Sequence, residues 1–240
     1  MISDIKAILL DIEGTTTPID FVHKTLFPYS RERVTDFVRA NFDKLGDEIS
    51  QLKKDHGAES SYLPTIDESR PETIAEYLCF LIDNDRKSTP LKSIQGKIWQ
   101  QGYISGELRS EVFEDVPRAF RRWSRAKKRI AIYSSGSKLA QRDLFRFTDH
   151  GDLTPFISSY FDTTTGSKLK SESYSKIAEE LEITPGRILF VSDIIAELDA
   201  ARQANMQTVL SVRNGNAPVT GIHLPRAIRS LDELDRITKI

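Results

Sequence analysis

The sequence predicts an α/β protein, with a doubly wound parallel-sheet (Rossmann-like) core and an all-helical cap domain inserted after the first strand. Three observations lead there. Short apolar runs recur at Ala7–Leu10, Ile130–Tyr133 and Ile188–Val191, and each is followed by an acid or a serine. Strands apolar on both faces belong to sheets that helices cover on both sides. From Asp115 onward such runs alternate with helical stretches, and between Phe21 and about Glu114 only helical spacing is found.

Lys6–Leu10 reads as the first strand, closed by Asp11, after which Gly14-Thr15 turns the chain. Pro28-Tyr29-Ser30 opens a helix whose Val34, Phe37, Val38 and Phe42 share one face. Leu45, Ile49 and Leu52 continue on a second helix that Gly57 ends, and a polar loop with Ser60, Ser61, Pro64, Asp67 and Ser69 follows. Pro71 starts a third helix through Ile74, Tyr77, Leu78, Leu81 and Ile82, and Leu91–Gln101 reads as a fourth. The remaining elements are a helix over Val116–Lys128, a strand over Arg129–Ser134, a helix over Leu139–Phe147 and a short strand at Tyr160–Asp162. Then come a helix over Ser173–Leu181, a strand over Arg187–Asp193, a helix over Glu197–Asn205, a strand over Thr208–Val212 and a terminal helix over Leu231–Ile237. The expected core is therefore residues 1–20 with 115–240, and the cap is 21–114.

Composition narrows the function. A formal net charge of -1 argues against nucleic acid or a membrane surface as partner, and a small anionic substrate needs only local positive charge. The basic run Arg118–Arg129 reads as a solvated helix face, because acids balance it globally. No apolar run is long enough to span a bilayer, and the early first strand leaves no room for a leader peptide. Cys79 is the single cysteine and reads as a packed thiol, which fits a reducing cytoplasm. The default expectation is a cytoplasmic monomer. The four histidines, His23, His56, His150 and His223, show no metal spacing.

Chemistry is expected at the carboxyl ends of the strands. Asp11 and Glu13 stand there, two residues apart, as a carboxylate nucleophile beside a general acid, with Mg²⁺ needed to bring a phosphate dianion close. Ser134-Ser135-Gly136-Ser137 combines hydroxyls with main-chain N–H groups before a helix, a natural phosphate cradle; Ser137 serves equally as a plain N-cap. Lys168 and Lys170 precede the Ser173 helix and compete for the role of phosphate cation. Asp193 closes the strand over Arg187–Asp193 as an oxygen ligand suited to Mg²⁺. Glu197, one turn on, is either an acid orienting the site or an ordinary first-turn residue favoured by the helix dipole.

Together these motifs resemble the haloacid dehalogenase superfamily, whose first motif reads Asp-x-Asp-Gly-Thr. The string DIEGTTTPIDFVHKTLFPYS over Asp11–Ser30 resembles one branch, the enolase-phosphatases (acireductone synthases) of methionine salvage. So do Gln95-Gly96-Lys97-Ile98-Trp99, Gly102-Tyr103 and Ser105-Gly106. The resemblance implies Asp11 as nucleophile and Glu13 as acid/base, Glu13 also lending its main-chain carbonyl to the metal. It implies Ser134 and Ser135 as substrate contacts, Lys168 rather than Lys170 as the phosphate cation, and one Mg²⁺ per chain on Asp11, Glu13 and Asp193. It further implies that 2,3-diketo-5-methylthiopentyl-1-phosphate is first enolised and then hydrolysed through an aspartyl-phosphate, with the helical insert closing over the cleft. Two other readings remain: a capped Mg²⁺-dependent phosphatase of another small phosphate ester, and a catalytically silent binding protein on the same fold. Where the branch has Arg-Pro-Gly-Asn, this chain has Arg213-Asn214-Gly215-Asn216, and no role is assigned to Arg213.

Overall fold

The computed structural model describes residues 4–57, 61–62, 64–86, 88–218 and 226–235. The chain divides into two units, Met1–Val22 with Arg109–Ile240, and His23–Leu108. Its first strand, β1 (Ala7–Leu10), is buried throughout.

A helical path begins directly after Pro18, with α1 (Ile19–Phe21) and a π turn over Val22–Leu26 leading into α2 (Phe27–Asn41). Helix therefore starts earlier than the sequence pattern placed it, because Pro28 stands near the beginning of α2 rather than opening the segment. Pro28 has no N–H to donate, and the chain is wound wider just before it.

The helical unit continues through α3 (Gly46–Gly57), α4 (Pro71–Asp83) and α5 (Thr89–Ser105). Helix α5 outruns the expected Leu91–Gln101 at both ends and stops where Gly106 adopts φ 81°. Val34, Phe37, Leu52, Ile74, Leu78, Leu91, Ile94 and Ile98 make one apolar core among these helices. The Arg31 fork binds Asp83 with bonds of 2.7 and 2.9 Å, Gln95 donates to Ser30, and the Trp99 indole donates to Leu26 O. Gly102 lets Tyr29 pack close, since a Cβ there would lie 2.5 Å from the Tyr29 hydroxyl and displace that side chain. The distinctive residues of this segment thus build its interior.

The other unit resumes with α6 (Asp115–Arg125), β2 (Arg129–Tyr133), α7 (Lys138–Arg146), β3 (Ser159–Phe161) and α8 (Ser171–Glu180). It ends with β4 (Ile188–Ser192), α9 (Ile195–Gln203), β5 (Gln207–Ser211) and β6 (Ala227–Ile228). The sheet order is β3-β2-β1-β4-β5-β6 and every pairing is parallel. Leu10 stands beside Ile132 on one side and Val191 on the other. Connections leave β1 towards β2 and later return to its other edge with β4, so the topological switch point lies between β1 and β4.

Alternate residues feed two cores. Ala7, Leu9, Ala131, Tyr133 and Phe190 pack with Tyr174 and Ile177 of α8 and Leu198 of α9. Phe120 and Trp123 of α6 are wholly buried, and the Phe120 ring lies 5.9 Å from that of Phe145.

The end of the chain adds a strand that the sequence pattern did not show. Strand β6 is only two residues long, too short to show a period. Leu231–Glu233 is a 3₁₀ turn capped by Ser230, and residues 234 and 235 continue it as α-helix, as expected of the terminal helix; residues 236 and 237 lie outside those described. The basic run is a solvated face, with Arg118, Arg121, Arg125, Lys127 and Arg129 exposed, and it also carries surface ion pairs. Arg118 and Arg122 pair with Asp232, Arg122 also with Asp235, and Arg129 donates to Leu181 O.

Candidate active site

Four acids and a lysine are placed at the carboxyl edge of the sheet, on both sides of its switch point. Asp11 follows β1, its N–H donating to Val191 O at 3.0 Å. Its side chain is 7% exposed, and Oδ1 accepts from Ile12 N–H at 2.8 Å. The chain then closes a small turn in which Ile12 O accepts from the N–H groups of Thr15, Thr16 and Thr17, and Gly14 N–H donates to Thr17 O. Thr16 Oγ1 donates back to Asp11 O at 3.1 Å. All three threonines are buried, while Glu13 is partly open. A buried nucleophile beside a partly open acid suits two different tasks: attack on phosphorus, and proton exchange with a leaving group or water.

Lys168 Nζ lies 2.6 Å from Asp11 Oδ1 and 2.7 Å from Glu197 Oε2. Burial opposes its charge, but the two carboxylates outweigh burial and hold its pKa above the usual lysine value. The loop that delivers it is pinned by Tyr174, whose hydroxyl donates to Lys168 O at 2.8 Å, and by Tyr133, whose hydroxyl donates to Gly166 O at 3.0 Å. Lys170, the rival, is exposed at the start of α8.

Glu197 occupies the first turn of α9 and at the same time faces the site. Burial first, and the Asp11 charge second, push its carboxyl up to about 7, against the pull of Lys168. Ser192 Oγ stands 2.9 Å from Glu197 Oε2 and 3.4 Å from Asp11 Oδ2, and accepts from Ile194 N–H. A hydroxyl has one proton, and the shorter contact identifies Glu197 as its acceptor.

Asp193 rests directly on the turn after β1. A Cβ at Gly14, whose φ is 65°, would come within 2.5 Å of Asp193 Oδ2. Only glycine admits this approach. Burial, then the Asp11 charge, push the Asp193 carboxyl up to about 7. Asp11, Asp193 and Glu197 thus set three carboxylates against one ammonium, a balance that favours a further cation. Among the described residues no three His, Cys, Asp or Glu side chains surround a common point. Any cation held here would take two carboxylates, from Asp11 and Asp193, and complete its shell with main chain, water and ligand, the mixed oxygen set that Mg²⁺ accepts.

Ser134, buried at the end of β2, donates its N–H to Phe161 O, and its Oγ accepts from Gly136 N–H at 3.4 Å. Ser135 is exposed, and Ser137 is the N-cap of α7, accepting from Ala140 N–H. Strand adjacency alone places Ser134 and Ser135 beside Asp11. Asp162 secures their loop from β3, accepting from Lys138 N–H and from Thr164. His23 is exposed in the helical unit, its ring edge-on to Phe27. His223 lies outside the described residues.

Four participants escaped the sequence reading. Ser192 and Asp162 sit next to recognised motifs but have no motif of their own. Arg213 and Asn216 lie in a recognised loop whose partners are far away in sequence.

Comparison with known proteins identifies the family. The family model for haloacid dehalogenase-like hydrolases matches residues 5–205. Enolase-phosphatase E1 of Synechococcus elongatus is 52% identical over 96% of this chain and 98% of its own. The Leptospira borgpetersenii enolase-phosphatase E1 is 49% identical over 90% of this chain and 92% of its own. The crystal structure of the UTR4 protein of Saccharomyces cerevisiae superposes with a TM-score of 0.76 at 32% identity, over 94% of this chain and 98% of that one. The chain belongs to the haloacid dehalogenase-like hydrolases and, within them, to the enolase-phosphatase E1 family.

Proposed function

We propose that this chain is a Mg²⁺-dependent enolase-phosphatase of methionine salvage. It would convert 2,3-diketo-5-methylthiopentyl-1-phosphate to the acireductone 1,2-dihydroxy-3-keto-5-methylthiopentene and phosphate. The observation that carries the phosphatase half is Lys168, held between Asp11 and Glu197. The relatives' names carry the enolase half.

In this reading Asp11 attacks phosphorus and becomes an aspartyl-phosphate, one hard displacement divided into two easier ones. Ile12 N–H and Lys168 hold Oδ1 in place, which favours Oδ2 as the attacking atom. Lys168 offsets the charge on the transferring group. Glu13 gives its proton to the leaving oxygen and then takes one from the water that opens the intermediate. The Ser134 hydroxyl and the main chain of Ser135 and Gly136 receive the phosphate at the start of α7. Glu197, with its Ser192 bond, keeps Lys168 aimed at Asp11. One Mg²⁺, held by Asp11, Asp193 and the Glu13 main-chain carbonyl, would supply the charge neutralisation that lets a phosphate dianion approach a carboxylate.

The reading assigns phosphate chemistry to residues 1–20 and 115–240 and the role of cap to 21–114. It takes the enzyme as a monomer and as cytoplasmic, the compartment being supported by the single, half-buried Cys79. Among the described residues no helix is long and apolar enough to cross a membrane.

Product identification in deuterated buffer tests the proposal. Expected are phosphate release, the ultraviolet absorbance of a conjugated enol, and, in recovered substrate, deuterium at the carbon that loses its proton, introduced when the enol is reprotonated. Phosphate released from the diketone without enol would overturn the bifunctional reading and leave a plain phosphatase.

A further inference from the structure

Arg213, in the loop after β5, is 7% exposed and engages all three of its nitrogens. Nε and Nη2 donate to Thr15 O at 3.1 and 3.0 Å. Nη1 donates to Arg229 O at 2.9 Å and pairs with Asp115 Oδ2 at 2.8 Å. The Phe113 ring lies 4.4 Å from its guanidinium carbon. A buried cation is costly unless paired and hydrogen-bonded. Charge pairing alone needs no fork. Two N–H groups converging on one carbonyl while a third nitrogen holds an acid require the planar guanidinium.

The gripped carbonyl belongs to the turn that follows the nucleophile. Gly14 O accepts from Ser211 Oγ at 2.9 Å and from Asn216 Nδ2 at 3.0 Å. Thr16 O accepts from Phe113 N–H at 3.0 Å. Three successive carbonyls, Gly14 to Thr16, are therefore held from outside the turn, two of them by the loop after β5. Asp11 is anchored independently by the sheet, through its bond to Val191 O. Glu13 lies between these anchors, and its backbone pairs with Thr17 across the turn. Its direction is set by where the turn is held.

We propose that Arg213 is a positioning residue for Glu13, gripping Thr15 O so that the Glu13 carboxyl is aimed at the leaving oxygen. This rests on the reading of Asp11 as nucleophile and Glu13 as proton donor. Phosphate is received by loops after β2 and β3, which Arg213 does not touch. Its loss should therefore spare binding and attack, and harm proton delivery.

Leaving-group dependence separates these effects, because a basic leaving group needs the proton and an acidic one does not. The test compares kcat/KM for phenyl phosphate and 4-nitrophenyl phosphate at saturating Mg²⁺. In Arg213→Lys the loss is expected to be about ten- to a hundredfold with phenyl phosphate, the scale of a catalytic group displaced by about 1 Å. With 4-nitrophenyl phosphate it should be no more than about threefold. Glu13→Gln must show the same selective loss. If it does not, the proton-donor reading fails whatever Arg213 does. If Glu13→Gln is selective and Arg213→Lys loses both substrates equally, or neither, the positioning role is overturned. Should Arg213→Lys not fold, the double variant Arg213→Met with Asp115→Asn removes both buried charges and must give the same selective loss.

Discussion

Replacing Lys168 by Met removes the ammonium that lies between Asp11 and Glu197 and keeps a side chain of similar length. Both oxygens lie within 2.7 Å of one nitrogen, so they are at most about 5 Å apart. Two like charges at that separation repel by about 3 kcal/mol at an effective dielectric of about 20. That corresponds to about two pH units for the more easily protonated partner. Burial and this repulsion already push Glu197 up to about 7 against the pull of Lys168, so removing the lysine raises it further and the pair holds a proton through neutral pH. The variant should lose about two to three decades of kcat/KM on 4-nitrophenyl phosphate, the scale of one preorganised electrostatic group. The acid limb of its pH–rate profile should move upward, since losing a cation raises carboxylate pKa values. Rates measured from pH 5 to 9 at saturating Mg²⁺ read both effects. Lys170→Met, at an exposed position, serves as the comparison. Wild-type rates in Lys168→Met, an unmoved limb, or greater harm from Lys170→Met would refute the reasoning.

Other consequences are equally open to measurement. Asp11→Asn should stop phosphate release yet still convert the diketo phosphate to its enol if Mg²⁺ binds, seen as ultraviolet absorbance without free phosphate; rapid phosphate release would contradict it. Gly14→Ala forces a Cβ to within 2.5 Å of Asp193 Oδ2 and costs about 1 kcal/mol for its φ of 65°. It should sharply raise the Mg²⁺ concentration needed for half-maximal rate, and an unchanged requirement would count against Asp193 as ligand. In metal-free protein, Asp193 and Glu197 bind protons more tightly folded than unfolded, so stability is greatest below about pH 4 for these groups and falls as pH rises to about 7. Added Mg²⁺ should reverse that trend, and urea melts across this range would detect its absence.

The strands carrying chemistry were legible because burial on both faces leaves a continuous apolar run, as in Ala7–Leu10 and Ile188–Val191. Asp11 and Asp193 were legible because strand ends localise function, whereas Lys168 stood out from Lys170 only through the family resemblance, and the bonds that hold its loop are encoded by no local pattern. Glu197 was half legible: the helix dipole explains an acid in the first turn of α9, but its lysine contact is tertiary. Arg213 was opaque, since Asp115 and Thr15 lie on distant elements and a buried guanidinium reads in sequence as any surface arginine. Strand β6 was missed because two residues are too few to show an alternation.

The central claim is that Asp11 carries the phosphoryl group. A single turnover with substrate labelled in its phosphate, quenched in acid and reduced with borohydride, tests it most directly. An aspartyl-phosphate is reduced to homoserine, so the account predicts homoserine at position 11 in wild type and none in Asp11→Asn. Label that turns over with no modified residue, or homoserine at another position, would contradict it.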